Sequence, residues 1–220
     1  MLYELAYFIK GKCIFLWNAI EWGNASLFAL IYKETLKSVS ERLDKIGNEA
    51  FTISAAQESD VSRLVVFFAE QPERVLEFFN SYRINEKSIL KILTNKVYQT
   101  FVVVKDGRVV GYFFIRLFAN GKCSHIGMAD HKTIGRGVGK LMAKAFEEIV
   151  TFAGFSAFAS ISLENFISLN SAKAASDVRI IKILDNRYYY IECTPKDTNR
   201  GGGKFIVASR EHVCNLKLAA

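Results

Sequence analysis

The residues best suited to chemistry in this chain are the run Gly135-Arg136-Gly137-Val138-Gly139-Lys140, set between strand-like residues 124–129 and helical residues 141–152. Alternating glycines where a helix opens let several backbone N–H groups approach an anion without side chains in between. The helix dipole favours negative charge at the same place. The pattern outlines a phosphate cradle. Two familiar phosphate loops do not fit it. A Walker loop would need a glycine at Ile134 and a Ser or Thr at Leu141, and a dinucleotide-binding turn would need its third glycine at Lys140.

Composition narrows the ligand. The 220 residues are half hydrophobic, which suits one folded domain with an appendage and excludes a disordered chain. The 29 basic and 22 acidic residues leave a net charge of +7. That balance is compatible with nucleic acid, a membrane surface or a polyanionic cofactor, and equally with a solvated basic surface. Nucleic acid is the weakest class, because the basic residues are scattered and no RNA- or DNA-reading motif appears. Cys13, Cys123, Cys193 and Cys214 lie far apart, and His125, His131 and His212 add no metal-ligand spacing. No metal is expected, and the thiols read as the reduced cysteines of a cytoplasmic protein. No cleavable signal is read at the start.

The elements that must position the cradle follow from periodicity. Residues 1–48 form an N-terminal aromatic helical extension, with apolar runs at 13–20 and 22–32 separated by Glu21 and too short to span a bilayer. It is expected to pack on the domain or in a homodimer, with peripheral membrane contact the less favoured alternative. Residues 49–220 form the second unit. Its expected order is a strand at 51–54, helical stretches from 58, 72 and 86, then strands at 98–105, 108–118 and 122–129 joined by the turns Asp106-Gly107 and Asn120-Gly121. After the glycine run come a helix at 140–153, a strand at 156–163, a helix at 165–176 and a segment of undecided type at 178–184. A terminal hairpin of 188–194 with 204–209 closes the chain.

The run 134–139 resembles the (Gln/Arg)-x-x-Gly-x-(Gly/Ala) signature of the GCN5-related N-acetyltransferases, the GNAT family, with Ile134 departing at the first position. The element order over residues 50–210 is what that resemblance implies. The expected fold class is therefore α/β (α+β): a mixed, mostly antiparallel sheet flanked by helices, with acetyl-CoA as co-substrate. By resemblance, the backbone of Met128 and Ala129 would pair with the pantetheine arm. The amides of Ile134, Gly135, Arg136, Gly137, Val138, Gly139 and Lys140 would hold the pyrophosphate, with Arg136 and Lys140 adding charge.

The family's second signature, an asparagine opening a helix with a small residue three positions on, matches Asn165 and Ser168. Asn165 is equally suited to cap its helix. Many relatives place a tyrosine seven residues after the asparagine to protonate the leaving thiolate, and Ala172 stands there instead. Tyr188, Tyr189, Tyr190 or water remain as donors. Glu164 and His125 are the candidate catalytic bases, with Asp130 and His131 behind them. The resemblance implies acetylation of a primary amine on a small molecule, with a nucleotide-linked amino sugar as the preferred guess. The alternatives are a protein or peptide amine, and a non-catalytic acyl-CoA-binding module.

Overall fold

A computed structural model describes residues 50–79, 84–196 and 205–207, with scattered positions between 12 and 46. The described elements run β1 (Thr52–Ala55), a 3-10 turn (Glu58–Asp60), α1 (Val61–Ala69), α2 (Glu73–Leu76), α3 (Glu86–Thr94), β2 (Tyr98–Lys105), β3 (Arg108–Leu117) and β4 (Lys122–Ala129). A second 3-10 turn (His131–Thr133) leads to α4 (Val138–Ala153), β5 (Ser156–Ser162), α5 (Phe166–Ala175), β6 (Ser176–Leu184), β7 (Tyr188–Pro195) and β8 (Phe205–Val207). Eight strands form one sheet in the order β1-β2-β3-β4-β5-β7-β6-β8. Most pairs are antiparallel; β4 with β5 and β6 with β8 are parallel.

Alternation along the strands splits the apolar residues between two faces. Phe101, Phe113, Ile115 and Cys123 pack with Leu141, Met142, Ala145, Phe146 and Ile149, the stripe of α4 that recurs at helical spacing. Val102, Tyr112, Phe114 and Met128 face the other way, onto Leu64, Phe68 and Phe79, with Ile89 of α3 in the same cluster. Gly154, at φ 69°, ends α4; Gly154 N–H reaches Thr151 O and Phe155 N–H reaches Val150 O, the Schellman closure that leads straight into β5.

Three turns set the sheet. Asp106 and Gly107 both take positive φ between β2 and β3, as the sequence led us to expect. Gly121, at φ 74°, closes the β3–β4 connection. The third corrects the expected terminal hairpin. Asp185 and Asn186, at φ 47° and 52°, make a two-residue turn from β6 to β7, with Arg187 N–H on Leu184 O at 2.9 Å. The undecided segment 178–184 is thus a strand paired antiparallel to β7. β8 lies parallel to β6 on its other edge and makes no hairpin with β7.

Most of residues 1–48 lie outside the described residues. Those described include Ala25, Tyr32 and Ile46, which rest on the core, with the Tyr32 ring 4.7 Å from that of Phe155. No helix among the described residues is long and apolar enough to cross a membrane.

Candidate active site

β4 and β5 touch at one end only. Their parallel register covers Lys122 with Ser156, Cys123 with Ala157 and Ser124 with Phe158, and stops there. Beyond Ser124 the strands part, leaving a wedge open toward the glycine loop. Which backbone groups face the wedge follows from alternation. Asp130 N–H donates to Val110 O and Phe118 N–H to Lys122 O, each at 2.9 Å, so the even-numbered residues of β4 address β3. Gly127 and Ala129 therefore turn their N–H and C=O groups into the wedge. On β5, Leu163 N–H bonds Arg187 O at 2.9 Å and Ser156 N–H bonds Gly121 O at 2.9 Å, so Ser160 and Ser162 turn theirs into it from the other side. This corrects one expected pair. Met128 spends its backbone on β3, and Gly127, which sequence reading missed, takes its place beside Ala129. Gly127 is bare for a steric reason: a Cβ there would stand 2.8 Å from Phe113 Cβ and 2.7 Å from Met142 Cε.

At the mouth of the wedge the chain turns into the cradle. Gly135 and Gly137 hold φ of 78° and 91°, and Gly137 is the N-cap of α4. A Cβ at Gly135, Gly137 or Gly139 would meet nothing within 4 Å, so the approach is open. The N–H groups of Val138, Gly139 and Lys140 are the orphan donors of a helix start. Two amides expected in the cradle are otherwise engaged. Ile134 N–H reaches His131 O at 3.4 Å and Arg136 N–H reaches Thr133 O at 3.0 Å, because the 3-10 turn closes on them. Ile134 offers only a side chain that is 67% exposed. The side chains of Arg136 and Lys140 are exposed beside the cradle.

The candidate acid and base residues are dispersed. His125 turns to the α4 face, its ring 3.8 Å from that of Phe146. Burial pushes its imidazole down to about 4, which keeps it neutral at neutral pH, and its buried Nδ1 has no hydrogen-bond partner among the described residues. Glu164 is exposed just past the end of β5, with its N–H on Ser162 Oγ at 3.3 Å. The six steps from Phe158 to Glu164 amount to roughly 20 Å of extended chain, so the two candidates lie at opposite ends of the wedge. Asp130 and His131 sit in the turn that follows β4.

Asn165 caps α5, its Oδ1 accepting Ser168 N–H at 3.0 Å. Ala172 of that helix packs on the core. Of the three tyrosines, Tyr189 is buried opposite Ile161, while Tyr188 and Tyr190 lie opposite Ser162 and Ser160, on the sheet face away from α4. Tyr190 stacks on Phe158 at 5.7 Å, and burial with the neighbouring Glu192 raises its phenol, so the proton stays on the oxygen. Burial also pushes the Cys123 and Cys193 thiols up to about 12 and about 11, which leaves neither a nucleophile.

No family model matches the sequence. Solved structures do match. The GNAT domain of S. lividans PAT superposes with a TM-score of 0.57 at 14% identity, over 64% of this chain and 88% of that one. PaiA N-acetyltransferase from Thermoplasma acidophilum, solved with coenzyme A, gives 0.55 at 13% over 66% and 99%. AAC(6')-Ib, solved with paromomycin and acetyl-CoA, gives 0.54 at 13% over 66% and 94%. At these identities the likeness is one of fold: over about two thirds of its length the chain adopts the GNAT acetyltransferase fold.

Proposed function

We propose that this chain, built on the GNAT fold, is an acetyl-CoA-dependent N-acetyltransferase acting on a primary amine. The observation that carries the reading is the wedge between β4 and β5, edged by the outward-turned backbone of Gly127 and Ala129 and ending at the amide cradle of α4. An extended chain carrying amides, laid in that wedge, finds strand-like partners on both sides. A pyrophosphate at its end meets Val138, Gly139 and Lys140 N–H, with the Arg136 and Lys140 side chains adding charge.

Acetyl-CoA, when bound, supplies an acyl thioester to the amine. The chain's own part is positioning: a β4 edge amide donates to the oxygen on which charge develops, and the strands fix the approach of the two reactants. A thiol of pKa about 8.5 is a good leaving group, which reduces the need for a dedicated acid. Tyr190 and Tyr188, on the face where Ser160 and Ser162 lie, are the available donors. Proton removal falls to Glu164, or to water at the open end of the wedge, and not to His125, whose ring packs on Phe146.

A small-molecule amine, such as an amino sugar, is the preferred acceptor, and a neighbour of the same fold was solved with paromomycin. A cytoplasmic setting fits the buried, unbridged cysteines. One observation favours a second reading: Ala172 packs on the core where many relatives carry a tyrosine, as a non-catalytic acyl-CoA-binding module would allow. A panel of amines, amino sugars and peptide N-termini incubated with acetyl-CoA, with release of free thiol measured, separates them. Turnover above the no-amine background supports the enzyme; tight binding of acetyl-CoA without turnover on any amine supports the module.

A further inference from the structure

We infer that Gln71 is a positioning residue for the anion cradle, locking the turn that carries it onto the end of α1. The inference rests on the reading of the cradle as the cofactor's pyrophosphate site. Gln71 lies just after α1 and just before Pro72, and only 6% of it is exposed. Its Nε2 donates to Phe67 O at 2.9 Å and stands 3.5 Å from Asp130 Oδ1, while its Oε1 accepts His131 N–H at 3.0 Å. The amide has one workable orientation. Reversed, its oxygen would oppose the Phe67 carbonyl and its NH₂ would oppose the His131 N–H. His131 Nδ1 lies 3.3 Å from both Gln71 Oε1 and Asp130 Oδ1.

From Gln71 the hydrogen bonds run on to the cradle without a break. Asp130, 5% exposed, accepts Lys132 N–H on Oδ1 at 3.0 Å. Its carbonyl takes both Thr133 N–H and Thr133 Oγ1 at 2.8 Å, and its own N–H holds it to β3 through Val110 O. Thr133 O then accepts Arg136 N–H at 3.0 Å, one residue before Gly137 opens α4.

A cradle of several amides binds well only if they already converge, because ordering a loose loop is charged against affinity at each binding event. Buried polar groups give this lock its strength. Deleting the Gln71 amide strands the His131 N–H and weakens the seat of Asp130 in a site with little water to replace it. The exposed link alongside is different in kind. Glu70 Oε2 meets Arg108 at 2.7 Å and Lys132 at 3.2 Å at the surface, where ion pairs contribute little.

The test compares Gln71→Met, which keeps length and volume but removes both amide functions, with Glu70→Gln and the wild type. CoA affinity is read by calorimetry, steady-state constants from acetyl-CoA turnover, and loop order from amide hydrogen exchange. In Gln71→Met, Kd for CoA and KM for acetyl-CoA rise by about tenfold or more, while kcat and the acceptor KM stay within about twofold. The His131 and Arg136 amides exchange faster while the α4 interior does not. Glu70→Gln stays within about twofold throughout.

Wild-type affinity and exchange in folded Gln71→Met would overturn the inference, as would a loss confined to kcat. If Gln71→Met does not fold, Thr133→Val, which removes only the bond from Thr133 Oγ1, must weaken CoA severalfold, and an unchanged Kd overturns the lock. If the wild type takes no CoA, the cofactor reading fails instead, and the exchange measurement alone decides whether Gln71 orders the turn.

Discussion

At the scale of single residues, Gly127 joins packing to chemistry: the side chain it lacks would strike Phe113, and the backbone it presents lines the wedge. Gly127→Ala is expected to lower stability by about 1–3 kcal/mol, read in denaturant melts, because Phe113 Cβ cannot move aside. His125 gives a signed pH dependence. Its folded-state value, near 4, lies below its ordinary 6.5, so the unfolded chain binds more protons between the two. Stability is full above about pH 6.5 and falls as pH drops toward 4. Thermal melts of His125→Phe, which keeps the stack on Phe146, should lose that component of the acid limb; an unchanged limb would show that other groups carry it. Tyr188→Phe and Tyr190→Phe are each expected to lower kcat by less than about tenfold. A hundredfold drop at either, with cofactor affinity unchanged, would make that phenol the general acid. Positions 135 and 137 were legible in the sequence because positive φ leaves little choice but glycine. Gln71 was not, since nothing in a lone Gln-Pro pair says that its amide will be buried against a turn 60 residues on.

At the scale of elements, α4 and its glycine loop were legible because two signals agree: an apolar stripe at helical spacing and the glycines at its start. The β2–β3 and β3–β4 hairpins announced themselves through Asp106-Gly107 and Asn120-Gly121. The β6–β7 hairpin did not, because Asp185-Asn186 makes its turn without a glycine, with both residues in the left-handed region. The edge groups of β4 were misassigned by one residue for a related reason. Only the observed register says which parity addresses β3. Asn165 supplies the test at this scale. Its Oδ1 caps α5 on Ser168 N–H, so Asn165→Ala should cost about 1 kcal/mol in melts while Asn165→Ser recovers most of it. If Asn165→Ser folds normally yet loses cofactor affinity tenfold, the side chain acts on the ligand and not only on the helix.

At the scale of the whole molecule, a few of the described residues before β1 take part in the packing. Ala25, Tyr32 and Ile46 rest on the core, yet Phe15 and Leu30 are 85% and 80% exposed, with Leu16, Ile20, Leu27 and Ile31 also uncovered. Removal of residues 1–47 should therefore lower Tm, and in sedimentation it should change the association state if those exposed side chains meet a second copy. An unchanged monomer, with only the full chain captured by liposomes, would assign them to a membrane surface instead. The central claim is that the start of α4 is built for a pyrophosphate, and Gly139→Asp tests it most directly. Gly139 has an ordinary helical φ and open space for a side chain, and a carboxylate in the first turn suits the helix dipole, so the fold should hold or gain. Calorimetric titration with CoA should give micromolar-range binding to the wild type, about −8 kcal/mol, and none to Gly139→Asp, whose carboxylate stands where the phosphates must sit. Equal affinity in a normally folded Gly139→Asp would contradict the account.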